Sequence, residues 1–335
     1  MGILVSLAAV AALAGIAWVG VTAAGLQVVF GVAVPYAAFA AFVAGVVARV
    51  VRWGRAPVPF RIPTTCGQQK SLPWIRNDEL DNPSGLAGVI GRMALEVLGF
   101  RSLFRDTKTR RTPEGRPVYG QDLTLWLAAM AFHWTLLLVL LRHLRFFTQP
   151  VPAFVNGLAA LDGFFQVGLP TVLFSGLILP AALTFLFLRR AWDPRVRYLS
   201  LAQDYFPVLL LMAIAGSGLL LRYFFKTDLD AVKRLALGLA SFRPVVPAGV
   251  SPLAYVHLFL VAVLLATVPF SKLVHMAGVF LSPTRNLASN NRARHHVNPW
   301  DYPVKVHTYQ EYEEEFGARM VQAGIPVDRP PAKEK

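Results

Sequence analysis

Cysteine is almost absent from this sequence, since Cys66 is the only one among 335 residues. A single cysteine excludes a disulfide within the chain. It also excludes a zinc site or an iron–sulfur cluster held by cysteines of this chain alone. No neighbouring residues suggest catalysis at Cys66, so a structural thiol or a contact to a partner is the plainer interpretation.

Acidic residues are also scarce. The chain has 19 of them against 33 lysines and arginines, which gives a formal net charge of +14. In a soluble domain this balance would raise the question of nucleic-acid binding. No nucleic-acid-binding motif accompanies the charge, and the basic residues are concentrated in the connections between apolar segments. We therefore expect a membrane protein with basic cytoplasmic loops and no nucleic-acid partner.

Long apolar runs, by contrast, are abundant. Hydrophobic residues make up 55% of the chain, and the mean hydropathy is +0.49. A helix needs about 20 apolar residues to cross a membrane. The first such run lacks the basic stretch of a signal peptide, which favours a retained helix. We predict an all-α integral membrane protein with six transmembrane helices, near residues 2–22, 30–52, 121–147, 165–189, 201–225 and 252–281.

Lysine and arginine are distributed unevenly among the connections. Connection 53–120 carries eleven and the tail after residue 281 carries eight, whereas connection 148–164 carries none. Loops that are rich in lysine and arginine stay on the cytoplasmic side. We therefore expect a multi-pass protein of a bacterial or archaeal cytoplasmic membrane with both termini in the cytoplasm. The third segment then runs outward and the sixth runs inward.

This pattern divides the chain into four parts. Within the basic loop, stretch 84–104 has helical, mainly apolar character, whereas 106–117 is polar and is expected to be a solvated turn. Stretches 226–243 and 308–324 are predicted to be short helices. The four parts are an N-terminal transmembrane hairpin (1–52), a basic cytoplasmic or interfacial loop (53–120), a four-helix domain (121–281) and a cytoplasmic tail for partner docking (282–335).

Four of the seven histidines lie in predicted spanning segments. His133 and His143 are in the third segment, and His257 and His275 are in the sixth. Ionisable groups are costly in lipid and usually mark a ligand site or a pathway. A hydrogen-bonded core residue explains a single buried histidine equally well. Two pairs in two helices are harder to explain in that way.

The spacing of the histidines suggests how they pair. Eighteen residues return His275 to the helix face of His257, about 27 Å along the axis, and ten residues separate His143 from His133 by about 15 Å. Because the two segments run antiparallel, we expect His133 to face His275 on the cytoplasmic side and His143 to face His257 on the outer side. Helix tilt or a kink at Pro269 must absorb the difference between the two rises.

Two opposed imidazoles in an apolar bundle suit the axial coordination of a b-type haem. Zinc is a poorer alternative, because it needs three or four ligands at each site. A proton relay is a further alternative, although carboxylates usually accompany one and the helices supply few. We therefore predict a dihaem cytochrome b domain with haem iron held by His133 and His275 on the cytoplasmic side and by His143 and His257 on the outer side.

Three arginines lie near the predicted outer ends of the helices, where few basic residues are expected. Haem propionates need cationic or hydrogen-bonding partners, which would account for Arg142, Arg145 and Arg222. The alternative is that these side chains reach the lipid headgroups.

The motif His-x9-His in one helix and His-x17-His in an antiparallel helix resembles that of the nitrate reductase gamma subunit family, whose members are dihaem b cytochromes. The resemblance covers roughly residues 121–281. The extra N-terminal hairpin argues against a nitrate reductase subunit as such. A gamma subunit of another respiratory membrane complex stays open as an alternative.

Three further segments resemble the DsrM family, the cytochrome b subunits of the DsrMKJOP complex of dissimilatory sulfur metabolism. This resemblance covers nearly the whole chain and assigns the same four histidines as haem ligands. It implies exchange of electrons with menaquinone or menaquinol and a cytoplasmic iron–sulfur partner that resembles heterodisulfide reductase, DsrK. DsrJ, DsrO and DsrP would be further subunits. The segments are PVPFRIPTTCGQQKSLPWI (57–75), LRHLRFFTQPVPAFV (141–155) and NRARHHVNPWDYPVKVHTYQEYEEEF (291–316).

The resemblance favours a quinone site on the outer side, with electrons flowing inward to the partner. A carboxylate near a quinol hydroxyl could accept its proton, and Asp162 is the only acidic residue of connection 148–164. A helix N-cap before the fourth segment is nevertheless the preferred interpretation of Asp162. Candidates for the quinone site are Arg142, Asp162, Arg222, Tyr223 and Tyr255.

Two matters stay open from the sequence alone. The chain is an electron-transfer subunit in this interpretation, and whether it holds the quinol oxidation site itself is not decided. A transporter or a non-redox membrane anchor is compatible with six helices, but it leaves the four histidines unexplained. Docking or solvation is the preferred interpretation of the tail histidines His295, His296 and His307.

Overall fold

The computed structural model describes residues 1–56, 69–105, 107–163, 171–294 and 306–328. Cys66, His295 and His296 lie outside these residues. The described chain forms thirteen α-helices and one two-stranded sheet. In chain order these are α1 (Gly2–Thr22), α2 (Val34–Gly54), α3 (Leu86–Gly99), α4 (Arg101–Phe104), β1 (Thr107–Arg111), β2 (Pro117–Gln121), α5 (Leu123–His143), α6 (Ala153–Asp162), α7 (Phe174–Trp192), α8 (Pro194–Leu199), α9 (Ala202–Tyr223), α10 (Leu229–Ala240), α11 (Pro252–Thr267), α12 (His275–Gly278) and α13 (Tyr309–Gln322).

Six helical segments in the described chain are long and apolar enough to cross a membrane, which confirms the predicted number. They comprise α1, α2 with the preceding π-helical turn, α5, α7, α9, and α11 with the 3-10 turn that follows it. Helix α7 of the fourth segment begins at Phe174, because Leu173 is extended and acts as the N-cap, and positions 165–170 of the predicted segment lie outside the described residues. The short helices predicted within 84–104, 226–243 and 308–324 are present as α3 with α4, α10 and α13.

Helix α9 lies at the centre of the bundle and packs against α1, α7 and α11. The main core lies between the N-terminal hairpin, α9 and α11, where Ala17, Leu210, Leu260 and Tyr255 are almost completely buried. Helix α5 packs along α7 on the other side. Among the described residues, no comparable backbone packing joins α5 to α11. The two histidine-bearing helices therefore leave space between them.

The sixth segment, predicted over 252–281 with helix tilt or a kink at Pro269, is interrupted next to that proline. Helix α11 ends at Thr267 and is followed by a 3-10 turn over Val268–Phe270. Ser271 is then extended, with φ −120° and ψ 178°. A second 3-10 turn leads into the short helix α12, which begins at His275. Proline has no backbone N–H to donate, so Pro269 weakens the helix at this point, although Val268 before it is still helical, with φ −49° and ψ −53°.

The connection between α2 and α5 contains the only strands of the described chain. Strands β1 and β2 pair antiparallel, with Thr107 opposite Gln121 and Arg111 opposite Pro117. The predicted solvated turn over 106–117 is thus mostly a strand, and only 112–116 turns. Gly115 supplies the left-handed backbone that this turn needs, with φ +80°. The all-α bundle is confirmed, and the hairpin is an addition to it.

Helices α3 and α4 rest against the first turns of α5. The indole nitrogens of Trp126 and Trp134 donate to the carbonyls of Gly99 and Leu98, at 2.8 and 3.2 Å. These bonds hold the end of α3 beside α5. We call the end of the bundle that carries α3, α4, the β-hairpin and α8 the inner end, and the opposite end the outer end.

Candidate functional site

The four histidines of α5 and of the sixth segment lie in two facing pairs. The ring centroids of His133 and His275 are 6.0 Å apart at the inner end, with the rings inclined at 85°. Those of His143 and His257 are 6.4 Å apart at the outer end, with the rings inclined at only 17°. These are the pairings that the antiparallel spacing predicts. We call them the inner pair and the outer pair.

Every one of these imidazoles has its Nδ1 atom engaged. His133 and His143 contact the carbonyl oxygens one turn earlier in α5, at 2.8 and 2.7 Å. His275 contacts the Lys272 carbonyl at 2.9 Å, and His257 contacts Ser217 Oγ at 2.9 Å. A contact on one ring nitrogen holds the ring orientation, and a carbonyl partner also requires a proton on Nδ1. The Nε2 atoms are then the ring nitrogens available to a ligand.

The paired rings border open space and not a packed core. His143 and His275 are exposed, and His133 and His257 are half-buried. This agrees with the lack of close packing between α5 and α11. An exposed imidazole at membrane depth would be poorly solvated by lipid. The arrangement therefore suits a group that fills the space between the two helices.

The spacing of each pair fits one metal ion between two imidazoles. With a metal–nitrogen bond of about 2 Å and a ring radius of about 1.1 Å, two axial imidazoles have centroids roughly 6 Å apart. Zinc does not fit, because it takes four ligands and each pair supplies two. No group of three or more histidine, cysteine or carboxylate side chains that could hold a metal occurs in the described chain. Iron in a macrocycle that supplies its own equatorial nitrogens does fit.

Aromatic side chains enclose the inner pair. The rings of Phe100 and Phe132 lie edge-on to His133, with centroids 4.9 and 4.7 Å away. Phe100 has a left-handed backbone, with φ +50°, at the junction of α3 and α4. A positive φ is unfavourable for a bulky residue. The hydrogen bonds of Trp126 and Trp134 to the end of α3 hold this junction against α5, and so hold Phe100 against His133.

The outer pair is formed on two continuous helices, with a third close behind. Ser217 of α9 meets His257, and a Cβ added at the adjacent Gly218 would lie 3.4 Å from the His257 ring. Glycine at this position lets α9 approach the imidazole. Sequence reasoning missed Ser217. Its signal was present, since it is a polar residue between two glycines inside an apolar helix.

A cavity of about 250 Å³ lies at the outer end, next to the outer pair in sequence and space. Three of its lining residues are the arginines predicted to meet propionates, so the structure brings these three together. We call this cavity the outer pocket. It is lined by Arg142, Arg145, Ala159, Ala160, Gly163, Thr171, Leu173 and Arg222.

Asp162 lies behind the outer pocket at the end of α6, and its side chain is fully buried. Its carboxylate pairs with Arg142 Nη1 at 2.5 Å and accepts from the hydroxyl and the backbone N–H of Ser175, at 2.5 and 2.8 Å. Ser175 is in the first turn of α7, where backbone N–H groups have no partner within the helix. The Asp162 carboxylate accepts one of these N–H groups although it lies 13 residues earlier in the chain. The N-cap position itself is Leu173.

The two tyrosine candidates lie in different places. Tyr223 Oη lies 3.3 Å from the Leu173 N–H and 3.4 Å from the Thr171 carbonyl, and Arg222 donates to the same carbonyl at 3.1 Å. Tyr223 thus supports one wall of the outer pocket. Tyr255 is buried in the core against Gly31 and is not part of that wall.

The tail histidine in the described chain is remote from both pairs. His307 lies just before α13, half of its side chain is exposed, and its Nδ1 is 3.8 Å from Glu311. Helix α13 begins with a capping box, in which Thr308 and Glu311 each satisfy the other's backbone N–H. His307 therefore belongs to the start of a surface helix.

Comparisons with known proteins agree with this geometry. The family model described as nitrate reductase gamma subunit matches residues 94–290, more than half of the chain. The matched region contains all four histidines and both helices that carry them. The N-terminal hairpin, α1 and α2, lies outside it.

Two relatives extend the similarity beyond that region. One is a protein of Archaeoglobus fulgidus named Hdr-like menaquinol oxidoreductase cytochrome b-like subunit. It is 49% identical over 283 residues, which cover 82% of this chain and 84% of the relative. The protein of Archaeoglobus profundus with the same name is 43% identical over 276 residues, covering 80% and 82%. This chain is therefore a multi-pass membrane protein that belongs to the nitrate reductase gamma subunit family.

Proposed function

We propose that this protein is a dihaem b-type cytochrome that carries electrons across the membrane between menaquinol and an iron–sulfur partner subunit. The observation that carries the proposal is the pair of facing imidazole sites. In each site two rings stand about 6 Å apart, both Nδ1 atoms are engaged, and an open space lies between the helices. The names of the two relatives support the link to menaquinol.

In this proposal the inner pair holds one haem b and the outer pair holds the other. When bound, each haem supplies a centre that accepts and donates one electron, with a potential set by its ligands and surroundings. The chain's own part is to keep four Nε2 atoms directed into the gap. His133 and His143 are ten residues apart on α5, so the two sites are about 15 Å apart along the helix. They form a stack that links the two faces of the membrane.

The outer pocket supports a role in binding anionic or quinone oxygen atoms. Three guanidinium groups converge there, and Arg142 has a buried Nε without a hydrogen-bond partner. Arginine is well suited to planar, oxygen-bearing groups. We assign Arg145 and Arg222 to the propionates of the outer haem or to the quinone. Arg142 is assigned to the same function and is fixed by Asp162.

Asp162 has a different part in this proposal. Its carboxylate already accepts hydrogen bonds from Ser175 and is paired with Arg142. Both oxygens of the carboxylate thus have partners within the protein. We therefore assign Asp162 to positioning Arg142 and α7. Tyr223, which braces the pocket wall, is the nearer of the two tyrosine candidates.

The inner end is proposed to face the cytoplasm, with both chain termini on that side, because the basic connections lie there. A partner resembling heterodisulfide reductase, of the DsrK type, would then dock on the tail and the connection that contains α3 and the β-hairpin. DsrJ, DsrO and DsrP would be further subunits of a DsrMKJOP-like complex in dissimilatory sulfur metabolism. The names of the two relatives support an Hdr-like assembly.

The alternative is the gamma subunit of a nitrate reductase or of another respiratory complex, and the family model favours its chemistry equally. The hairpin of α1 and α2 argues against a nitrate reductase, because it lies outside the matched region and yet contributes to the core. A non-redox anchor or transporter leaves the two imidazole sites without a function.

The test is the haem content of the protein purified in detergent from a haem-supplied host. Reduced-minus-oxidised spectra should show b-type bands, and the pyridine haemochrome should give about two haems per chain. A reduced naphthoquinone should then reduce the bound haem. A folded preparation without haem would overturn the proposal, and haem that no quinol reduces would overturn its quinone part.

A further inference from the structure

The N-terminal hairpin lies outside the region matched by the family model, yet its helix α2 contacts the segment that carries His275. We propose that Arg49 of α2 is a positioning residue for His275, because it fixes the break in the sixth segment that directs this imidazole toward His133. The inference rests on the proposed haem function of the inner pair. It gives the hairpin a role in building that site, beyond anchoring the chain.

The inner site needs this break. A continuous helix would place His275 about 27 Å from His257, whereas the partner histidines on α5 are only about 15 Å apart. The sixth segment is instead interrupted between Val268 and Val274, and both pairs stand about 6 Å apart. Whatever holds the interruption in place also holds the inner ligand in place.

Arg49 makes the contact at that point. Its Nε and Nη2 atoms donate to the Pro269 carbonyl oxygen, at 3.2 and 2.9 Å. In a continuous helix the N–H of Leu273 would take that carbonyl, but here it donates to Ser271 Oγ instead. Pro269 is fully buried, so its oxygen would otherwise lose a partner at a cost of about 1–3 kcal/mol. The guanidinium replaces the missing helical hydrogen bond.

Two further residues of α2, Gly45 and Trp53, contact the same segment. A Cβ added at Gly45 would lie 2.7 Å from the Pro269 ring, and one added at Gly278 would lie 3.5 Å from the Trp53 ring. Residues 45, 49 and 53 are spaced by four and share one face of α2. That face touches the chain on both sides of His275, at Pro269 and at Gly278. An arginine that extended to the lipid headgroups would not need neighbours on the same helix face that contact the same segment.

The same turn has a second anchor on α9. Lys272 Nζ donates to Asp204 Oδ1 at 2.5 Å, and the Lys272 carbonyl meets His275 Nδ1. This anchor belongs to the matched family region, whereas the Arg49 contact comes from the added hairpin. Removal of Arg49 is therefore expected to loosen the turn without releasing it. The inner site should change while the outer site stays intact.

The experiment compares Arg49→Gln and Arg49→Lys with wild type and with Arg52→Gln, an exposed arginine of the same helix that serves as the matched control. Each protein is purified in detergent, and its haem content, low-temperature EPR spectrum and potentiometric titration are recorded. In Arg49→Gln we expect the EPR signal and potential of the inner haem to move or its occupancy to fall, with the outer haem unchanged. Arg49→Lys should recover part of the wild-type signature.

The outcomes separate this inference from the proposed function. Wild-type protein without haem overturns the function. If wild type binds haem but Arg49→Gln leaves the EPR signal and potential of the inner haem unchanged, only the role of Arg49 is overturned. An equal change in both haems also overturns it, because that would be a general loss of packing. If Arg49→Gln does not assemble, Arg49→Lys and Gly45→Ala are compared with wild type in its place. Each should alter the EPR signal or potential of the inner haem alone.

Discussion

The outer and inner histidine pairs achieve nearly the same separation in different ways. The outer pair joins two regular helices, with rings nearly parallel at 17° and a serine of a third helix behind His257. The inner pair joins a regular helix to an interrupted segment, with rings nearly perpendicular at 85°. Two straight helices that run exactly antiparallel cannot close two pairs at once with spacings of ten and eighteen residues, because the rises are about 15 and 27 Å. One site therefore follows from helical periodicity, and the other depends on a local break.

The ends of α5 differ in their ion pairs as well. At the outer end Arg142 and Asp162 are enclosed, with side chains 13% and 0% exposed. At the inner end Asp122, whose side chain is 8% exposed, meets Arg189 and Lys108, which are 25% and 37% exposed. Charges in water gain little from pairing, whereas a buried charge depends on its partner. Both carboxylates are thus enclosed, but the basic partners at the inner end lie closer to water.

The largest predicted effect is the selective loss of one haem. His143→Ala should remove the outer haem and His133→Ala the inner one, which leaves about one haem per chain in each case. Redox titration of the remaining haem should give two different potentials. His307→Ala is the control and should keep both haems. Loss of both haems from either single variant, in a protein that stays folded, would contradict two separate sites.

The second prediction concerns ring orientation. Nearly perpendicular axial imidazoles give low-spin ferric haem a single, highly anisotropic EPR signal, and nearly parallel ones give a rhombic signal. The wild-type spectrum should therefore contain one signal of each kind. The rhombic signal should disappear in His143→Ala and the anisotropic one in His133→Ala. Two signals of the same kind would show that the ring angles in the two sites are alike.

The sequence predicted the outer site better than the inner one, for a physical reason. Membrane spans follow from apolar length alone, and the facing of His143 and His257 follows from helical rotation between antiparallel helices. The interruption after Thr267 depends on how Pro269, Ser271 and a distant arginine share hydrogen bonds. Such an arrangement depends on tertiary contacts, which have no local period in the sequence.

The outer pocket shows the same limit. Three arginines near helix ends suggested a common function before their contacts were known, because basic residues are rare on that side. The partners of Asp162 could not be inferred, since Ser175 lies beyond a connection of unpredictable path. The β-hairpin was missed for a related reason. Its strands are only five residues long, and every residue of β2 is exposed. No alternation of buried apolar and exposed polar residues therefore marks the hairpin.

The third prediction breaks the enclosed ion pair at the outer end. Arg142→Ala or Asp162→Ala leaves a buried charge without its partner, so each should lower the free energy of unfolding by about 3–5 kcal/mol. Thermal unfolding in detergent measures the loss. Arg145→Ala is the matched control and should change stability little. The double variant Arg142→Ala/Asp162→Ala should lose less stability than the sum of the two single losses, and an additive loss would contradict the pairing.

The fourth prediction removes the serine behind the outer pair. Ser217→Ala deletes the hydrogen-bond partner of His257 Nδ1 and leaves the imidazole in place. Partners of this kind typically contribute a factor of about 10–100 in metal affinity. We expect weaker retention of the outer haem on dilution and a shifted potential, with the inner haem unaffected. Ser241→Ala, at the exposed end of α10, serves as the control.

The smallest effect is expected at the inner end of α5, where Asp122 caps the helix. Burial raises the pKa of this carboxyl, but hydrogen bonds from Thr124, Leu125 and Arg189, with the charge of Lys108, outweigh it and lower the pKa below the ordinary 3.8. Because the folded-state pKa is the lower one, the stabilisation is present above the unfolded-state pKa. It is lost as the pH falls through the folded-state pKa.

Asp122→Asn keeps an oxygen that can cap the helix but removes the charge paired with Arg189 and Lys108, so it should cost up to about 1 kcal/mol near pH 7. Below about pH 3 the difference from wild type should shrink, since wild type is then losing its carboxylate. Unfolding in detergent at both pH values measures it. A difference that persists in acid would assign the stabilisation to contacts other than the charge of the carboxylate. A loss as large as that of Asp162→Ala would erase the contrast between the ends of α5, because it would mean that Asp122 is as dependent on its partners as a fully enclosed charge.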